Sequence, residues 1–154
     1  MDLSIVIPLF DEADSLRELQ AAIDRAVAPL GLLHEVIWVD DGSADGSLEV
    51  LRALHAADPT HVRVLSFRRN QGKSAGLAAG FEAAGGDCVI TMDADLQDDP
   101  AEIPALLTAL GQGADLVCGW KQKRHDPWTK RLPSKLFNFV TARTSGVHLH
   151  DFNT

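Results

Sequence analysis

The chain has 154 residues, 45% of them hydrophobic and 23% charged, which suits one globular domain and excludes a disordered or collagen-like chain. Its net charge of −8 argues against duplex nucleic acid as the main partner. The longest apolar run, residues 3–10, falls far short of the roughly 20 residues of a spanning helix. Met1-Asp2 begins no basic and apolar leader, so a cytoplasmic chain without a transmembrane segment is expected.

Leu3-Ser-Ile-Val-Ile-Pro-Leu9 is apolar on both parities and predicts a buried first strand. Leu16, Leu19, Ile23, Ala26, Val27 and Leu30 recur at helical spacing. Ser15 and Glu18 are spaced for a capping box at the start of that helix, and Pro29-Leu-Gly31 supplies its stop. Val36–Val39 predicts a second strand, Leu48–His55 a second helix, Val62–Phe67 a third strand and Lys73–Ala84 a third helix rich in Ala and Gly.

Gly85-Gly86 ends that helix; Cys88–Met92 predicts a fourth strand, Ala101–Leu110 a helix entered at Pro100, and Asp115–Gly119 a fifth strand. Cys88 and Cys118 fall in apolar strand-like runs and read as buried thiols, not as a disulfide. Strands and helices alternating in this way imply right-handed crossovers and an α/β fold. A mostly parallel sheet would carry helices on both faces, with ligands beyond the carboxyl ends of its strands. Residues 121–154 leave the pattern: they carry +5 where residues 1–120 carry −13, and they read as a basic loop followed by a helix with Leu136, Phe137 and Val140.

The chemistry gathers where strands end. Pro8, Phe10, Asp11 and Glu12 follow the first strand, and Asp40-Asp41-Gly42-Ser43 follow the second. Carboxylates there can accept hydrogen bonds from a base or from ribose hydroxyls, and Gly42 permits a tight turn. The alternative for Asp41, Ser43 and Asp45 is turn and cap duty, to which Asp45 is assigned. Arg69-Asn-Gln-Gly-Lys-Ser74 resembles half of a phosphate loop, but Phe67 stands where a Walker A loop needs glycine. Gly72 and Lys73 still open a helix after a strand, where backbone N–H groups and a lysine can neutralise a diphosphate; an ordinary loop and cap would look the same.

Thr91-Met-Asp-Ala-Asp-Leu-Gln-Asp-Asp-Pro100 is the most informative stretch. Asp93 and Asp95, either side of Ala94, are two apart at a strand end, so both carboxylates can face one crevice. Oxygen ligands of this kind suit Mg2+ or Mn2+ shared with substrate phosphates, and Gln97 can add a carbonyl oxygen. The alternative is an acidic turn. Asp98 and Asp99 read as cap and first-turn acids of the helix entered at Pro100. Lys121, Lys123, Arg124, Lys130, Arg131 and Lys135 lie among Trp120, Trp128 and Phe137, a pattern suited either to a phosphate at a membrane interface or to a solvated helix.

Five ordered stretches, Ile-Val-Ile-Pro-Leu-Phe-Asp-Glu12, Val-Asp-Asp-Gly-Ser43, Arg-Asn-Gln-Gly-Lys73, Met-Asp-Ala-Asp-Leu-Gln-Asp-Asp-Pro100 and the basic segment ending Pro-Ser-Lys-Leu-Phe-Asn138, together resemble the family 2 glycosyltransferases of GT-A fold. Within that family they are most similar to the dolichol-phosphate mannose synthase-like polyisoprenyl-phosphate glycosyltransferases. The resemblance implies that Pro8, Phe10, Glu12 and Asp40, with Asp41 beside them, line a nucleoside pocket. It also implies that Gly72 and Lys73 approach the diphosphate, that Asp93, Asp95 and Gln97 hold the metal, and that Arg124, Arg131 and Ser134 meet an acceptor phosphate.

By the same resemblance residues 1–120 form the nucleotide-sugar-binding part and residues 121–154 a basic acceptor side of one C-terminally incomplete domain. Asp11 stands where the family commonly has Asn, and the family continues beyond a segment like His150-Asp-Phe-Asn-Thr154 into further helices.

The implied activity is metal-dependent, inverting transfer of a hexose from a GDP-mannose or UDP-glucose type donor to a polyisoprenyl phosphate, dolichyl or undecaprenyl, at the cytoplasmic face of a membrane. A phosphate acceptor ionised near neutrality needs no strong general base. Two alternatives stay open: a sugar hydroxyl acceptor, for which Asp151 is the available tail acid, and a non-catalytic nucleotide-sugar-binding module. A sugar-nucleotide pyrophosphorylase is disfavoured, because the loop after the first strand is acidic where a glycine-rich basic loop is expected.

Overall fold

The computed structural model describes residues 1–119. Four parallel strands, β1 (Leu3–Leu9), β2 (His34–Asp40), β3 (Val62–Ser66) and β4 (Cys88–Thr91), lie in the order β3-β2-β1-β4. The helices between them are α1 (Leu16–Val27), α2 (Ser47–Ala57) and α3 (Lys73–Ala83); α4 (Ile103–Leu110) follows β4. β1 is buried along its whole length, as its apolar residues on both parities demand.

The parities of β1 divide the core. Leu3, Ile5, Ile7 and Leu9 pack with Val36 and Trp38 of β2 against Leu16, Leu19, Ile23 and Val27 of α1, Leu51 of α2 and Ile103 of α4. On the opposite face Val6, Ile37 and Val39 meet Leu77 of α3 together with Leu65, Phe67, Ala83 and Ala84. α3 sits close to the sheet because Gly76 and Gly80 face it. A Cβ at Gly80 would stand 2.2 Å from Val6 Cγ1. The indole N–H of the fully buried Trp38 donates to Gln20 Oε1 at 2.9 Å, so α1 meets a polar need in the core that its apolar stripe cannot.

At the amino-terminal end of the sheet, Glu35 is buried in a polar knot. Ser4 Oγ and the Gly85 N–H donate to its Oε1 at 2.7 and 2.8 Å, and Arg63 Nη1 donates to its Oε2 at 2.6 Å. Burial alone would raise this carboxyl; Arg63, the Gly85 N–H and Ser4 outweigh that and hold it below its ordinary value.

Three local expectations are corrected. The capping box at α1 does not form: Ser15 has helical dihedrals, and its hydroxyl donates to the Glu12 carbonyl at 2.9 Å instead of capping. The stop at Pro29-Leu-Gly31 holds, as a short 3-10 turn closed by Gly31 at φ +63°. The fifth strand at Asp115–Gly119 is absent. Three apolar residues without a ladder partner among the described residues do not make a strand, and Leu116 is 79% exposed. Cys118 is accordingly exposed and Cys88 half-buried, both as free thiols.

The chain divides into two units, residues 1–108 and 109–154. The first holds the sheet. The described part of the second begins with a turn, in which the Gly113 N–H donates to the Leu110 carbonyl at 3.0 Å. No helix among the described residues is long and apolar enough to cross a membrane.

Candidate active site

The strand order reverses at β1. The chain steps outward from β1 to β2 to β3, then crosses back through α3 to place β4 on the other side of β1. Loops leaving β1 and β4 at such a switch point diverge and open a crevice beyond the carboxyl ends. A cavity of about 260 Å3 lies there. Pro8, Phe10 and Glu12 line it from the end of β1, Asp41 from β2, Gly72, Lys73 and Gly76 from α3 and its approach, and Asp93, Ala94 and Asp95 from the end of β4.

The loops after β1 and β2 are laced together. The Asp11 N–H donates to Ser43 Oγ at 2.9 Å, while Asp11 Oδ1 accepts from the Ala44 N–H at 2.8 Å. The Glu12 N–H donates to Ser47 Oγ at 3.0 Å and the Ala13 N–H to Asp45 Oδ2 at 2.9 Å. Asp11 holds φ +56° in this arrangement, a conformation that Asp tolerates better than bulkier residues. Asp45 is the turn residue that the sequence suggests; bonds from Ser47 and from the Ala13 N–H lower its carboxyl below the ordinary value.

Asp40 and Asp41 do different work. Asp40 is buried, with Oδ1 accepting from the Ser43 N–H at 3.0 Å and Oδ2 from Ser66 Oγ at 2.9 Å. It shapes the rim without lining the cavity. Asp41, also buried, spans to the approach of α3, where Oδ1 accepts from the Gln71 N–H at 2.7 Å and Oδ2 from the Gly72 N–H at 2.8 Å. The Gly72 amide is therefore already committed to Asp41. Gly42, at φ +77°, lets the two loops touch, since a Cβ there would lie 2.7 Å from the Arg69 carbonyl carbon.

After β4 the chain makes a tight acidic turn. The Asp93 N–H donates to Asp98 Oδ2 at 2.9 Å, and Leu96 takes φ +62°. Asp95 accepts from the Gln97 backbone N–H at 3.0 Å and from the Gln97 side-chain amide at 2.8 Å. Lys73 Nζ lies 2.5 Å from Asp93 Oδ1. Glu12 is pushed above the ordinary carboxylate range, first by burial and then by the negative charges of Asp95 and Asp45.

This arrangement fits a divalent cation. Asp93 and Asp95 offer carboxylate oxygen alone, the donor chemistry of Mg2+ or Mn2+. The charge that raises Glu12 is an excess that a cation would offset. Among the described residues no three His, Cys, Asp or Glu side chains are gathered to hold an ion by themselves. That suits an ion whose remaining positions are taken by substrate phosphate and water.

Of the expected site residues, Pro8, Phe10, Glu12, Asp41, Gly72, Lys73, Asp93, Ala94 and Asp95 surround one cavity. Asp40 and Gln97 do not line it: one is turned into the fold, and the other is exposed and bonded to Asp95. Arg124, Arg131 and Ser134 lie outside the described residues. Asp99 caps the turn at Pro100, accepting from the Ala101 N–H at 2.9 Å, but Asp98 holds the Asp93 amide instead of capping. Asn70, Gly76 and Leu9 also line the cavity. Their signal in the sequence is only their nearness to residues already named.

Residues 4–153 match the family model described as "Glycosyl transferase family 2". An undecaprenyl-phosphate 4-deoxy-4-formamido-L-arabinose transferase of Pseudomonas aeruginosa (strain LESB58) is 43% identical over 150 residues, which are 97% of this chain and 44% of that protein. The chain thus spans less than half the length of the curated relatives it matches.

Among solved structures, glucosyl-3-phosphoglycerate synthase from Mycobacterium tuberculosis, in complex with Mn2+, UDP-glucose and phosphoglyceric acid, aligns with a TM-score of 0.67 at 24% identity, over 92% of this chain and 49% of that one. A mannosyltransferase from Pyrobaculum calidifontis in complex with GDP-Man and Mn2+ aligns with a TM-score of 0.62 at 24% identity, over 70% and 32%. At that identity the likeness speaks for the fold.

Proposed function

Because the chain belongs to glycosyl transferase family 2, we propose that it carries the donor-binding site of a metal-dependent, inverting transferase that moves a sugar from a nucleoside diphosphate to a polyisoprenyl phosphate. The observation that carries this reading is the placement of Asp93, Asp95 and Lys73 around one cavity at the β1/β4 switch point. The acceptor class rests on the relatives' name, undecaprenyl-phosphate transferase. The sugar is a hexose or the 4-deoxy-4-formamido-L-arabinose of that name.

The roles follow from position. Pro8 and the half-exposed Phe10 offer apolar surface to the base, with Glu12 and Asp41 beside them as acceptors for donor N–H or hydroxyl groups. Asp93 and Asp95 would hold Mg2+ or Mn2+, which when bound supplies Lewis-acid stabilisation of the departing diphosphate. Lys73 adds a positive charge on the same side of the reaction, and Gly72 lets the chain pass close to the phosphates. A phosphate acceptor is anionic at neutral pH and attacks without a strong base. It calls for cations, which residues 121–154 supply with Arg124 and Arg131; Ser134 can donate a hydroxyl there. The same basic segment would rest on an anionic membrane surface.

The test is calorimetric titration of GDP- and UDP-sugars into the chain, hexose and 4-deoxy-4-formamido-L-arabinose donors alike, with Mn2+ and then with the metal chelated. Metal-dependent binding of one nucleotide fixes the donor class. Turnover with undecaprenyl phosphate then separates the enzyme from a binding module. A folded chain that binds no nucleotide under either condition overturns the proposal.

A further inference from the structure

The cavity is unevenly charged. Among the described residues that line it, Lys73 is the one base, set against Glu12, Asp41, Asp93 and Asp95. Asp41 is already satisfied by two backbone N–H groups. Asp95 takes only neutral donors, both from Gln97. The ammonium of Lys73 is committed to Asp93, although the lysine side chain is 56% exposed and Asp93 itself one-third exposed. An exposed ion pair of this kind is weak and exchanges readily for a better partner.

We infer that Lys73 is a tethered counter-cation: it competes with a divalent ion for Asp93 and yields that carboxylate when a diphosphate gives it another anion to hold. The inference rests on the reading of Asp93 and Asp95 as the metal-holding pair. Without a diphosphate, a divalent ion entering beside Asp95 meets a carboxylate neutralised by an ammonium, and its binding is weakened. A diphosphate draws the ammonium away and restores both carboxylates. Cation and diphosphate then strengthen each other through Lys73, in addition to any direct contact between them, and thermodynamic linkage makes the effect reciprocal. Lys73 is thus a positioning residue that ties metal loading to the presence of donor, besides its role as a phosphate contact.

Mn2+ alone is titrated into the whole chain at low salt, read by the electron paramagnetic resonance of free Mn2+, for the wild type, Lys73→Met and Lys73→Arg. The titrations are repeated with inorganic pyrophosphate. Lys73→Met is expected to bind Mn2+ alone about fivefold more tightly than the wild type, the scale of an exposed ion pair. Lys73→Arg, which keeps the charge, should match the wild type. The factor by which pyrophosphate improves Mn2+ binding should be smaller in Lys73→Met. Equal or weaker Mn2+ binding by Lys73→Met overturns the inference while leaving the metal reading in place. Absence of Mn2+ binding by all three chains, with pyrophosphate or without, overturns both. A lysine that only supports the fold would give weaker binding on removal, never tighter.

Discussion

Gly80 of α3 rests directly on Val6 of β1, with space for a hydrogen where any other residue would place a carbon 2.2 Å from Val6 Cγ1. Alanine is the better helix former by roughly 1 kcal/mol, so Gly80→Ala sets propensity against packing. Val6 is fully buried and β-branched and has no room to yield. Packing should win, with a net loss of about 1–3 kcal/mol. Urea denaturation should show a lower midpoint at unchanged slope, and adding Val6→Ala should recover part of the Gly80→Ala loss.

Asp41 ties the end of β2 to the approach of α3 through two amides. Asp41→Asn keeps one acceptor oxygen and turns an NH2 group toward the other N–H. The expected cost is about 1–3 kcal/mol of stability, the penalty for a buried unsatisfied donor. Nucleotide affinity should fall with it, because Gly72 and Lys73 are held in place by this bond. Thermal unfolding and nucleotide titration on the same sample check both.

Asp95 is exposed, and Gln97 alone supplies its hydrogen bonds. Asp95→Ala should leave stability within about 0.5 kcal/mol of the wild type and abolish the metal-dependent part of nucleotide binding. Normal metal-dependent binding by this variant would remove Asp95 from the metal site.

Glu35 sets an acid limb on stability. Its folded carboxyl lies below the ordinary value of 4.5, so the unfolded chain binds its proton first as pH falls. The stabilisation is complete above pH 4.5 and is lost as pH drops through the lower, folded value. Glu35→Gln should remove that part of the pH dependence and cost about 1–3 kcal/mol at neutral pH, since Arg63 is partly solvated and Ser4 is not. Unfolding free energies measured from pH 3 to 7 for the two chains decide it.

The alternation of apolar runs made the four-stranded body legible, because β1 and β2 are buried on both faces and α1 on one. The Asp93-Ala94-Asp95 turn could be read for a similar reason: two carboxylates after an apolar strand have few structural excuses. What escaped the sequence were choices among equivalent partners. Ser15 can cap a helix or bond to the Glu12 carbonyl, and Asp98 can cap a helix or hold the Asp93 amide; composition does not separate these outcomes. Asp40 and Asp41 are neighbours of identical chemistry, yet alternation sends one into the fold and the other to the α3 approach. The segment 115–119 has the composition of a strand but no ladder partner among the described residues, and pairing is a property of two segments.

The lacing of the loops after β1 and β2 makes them one kinetic unit. Four hydrogen bonds cross between residues 11–13 and 43–47, so neither loop can swing out without breaking the contacts of the other. The amide hydrogens of Asp11, Glu12, Ala13 and Ala44 should exchange with solvent deuterium at a shared rate, as members of one cooperative opening. The rim of the cavity on the β1 and β2 side then behaves as a rigid jaw, against which only the residues arriving from α3 and β4 are free to adjust.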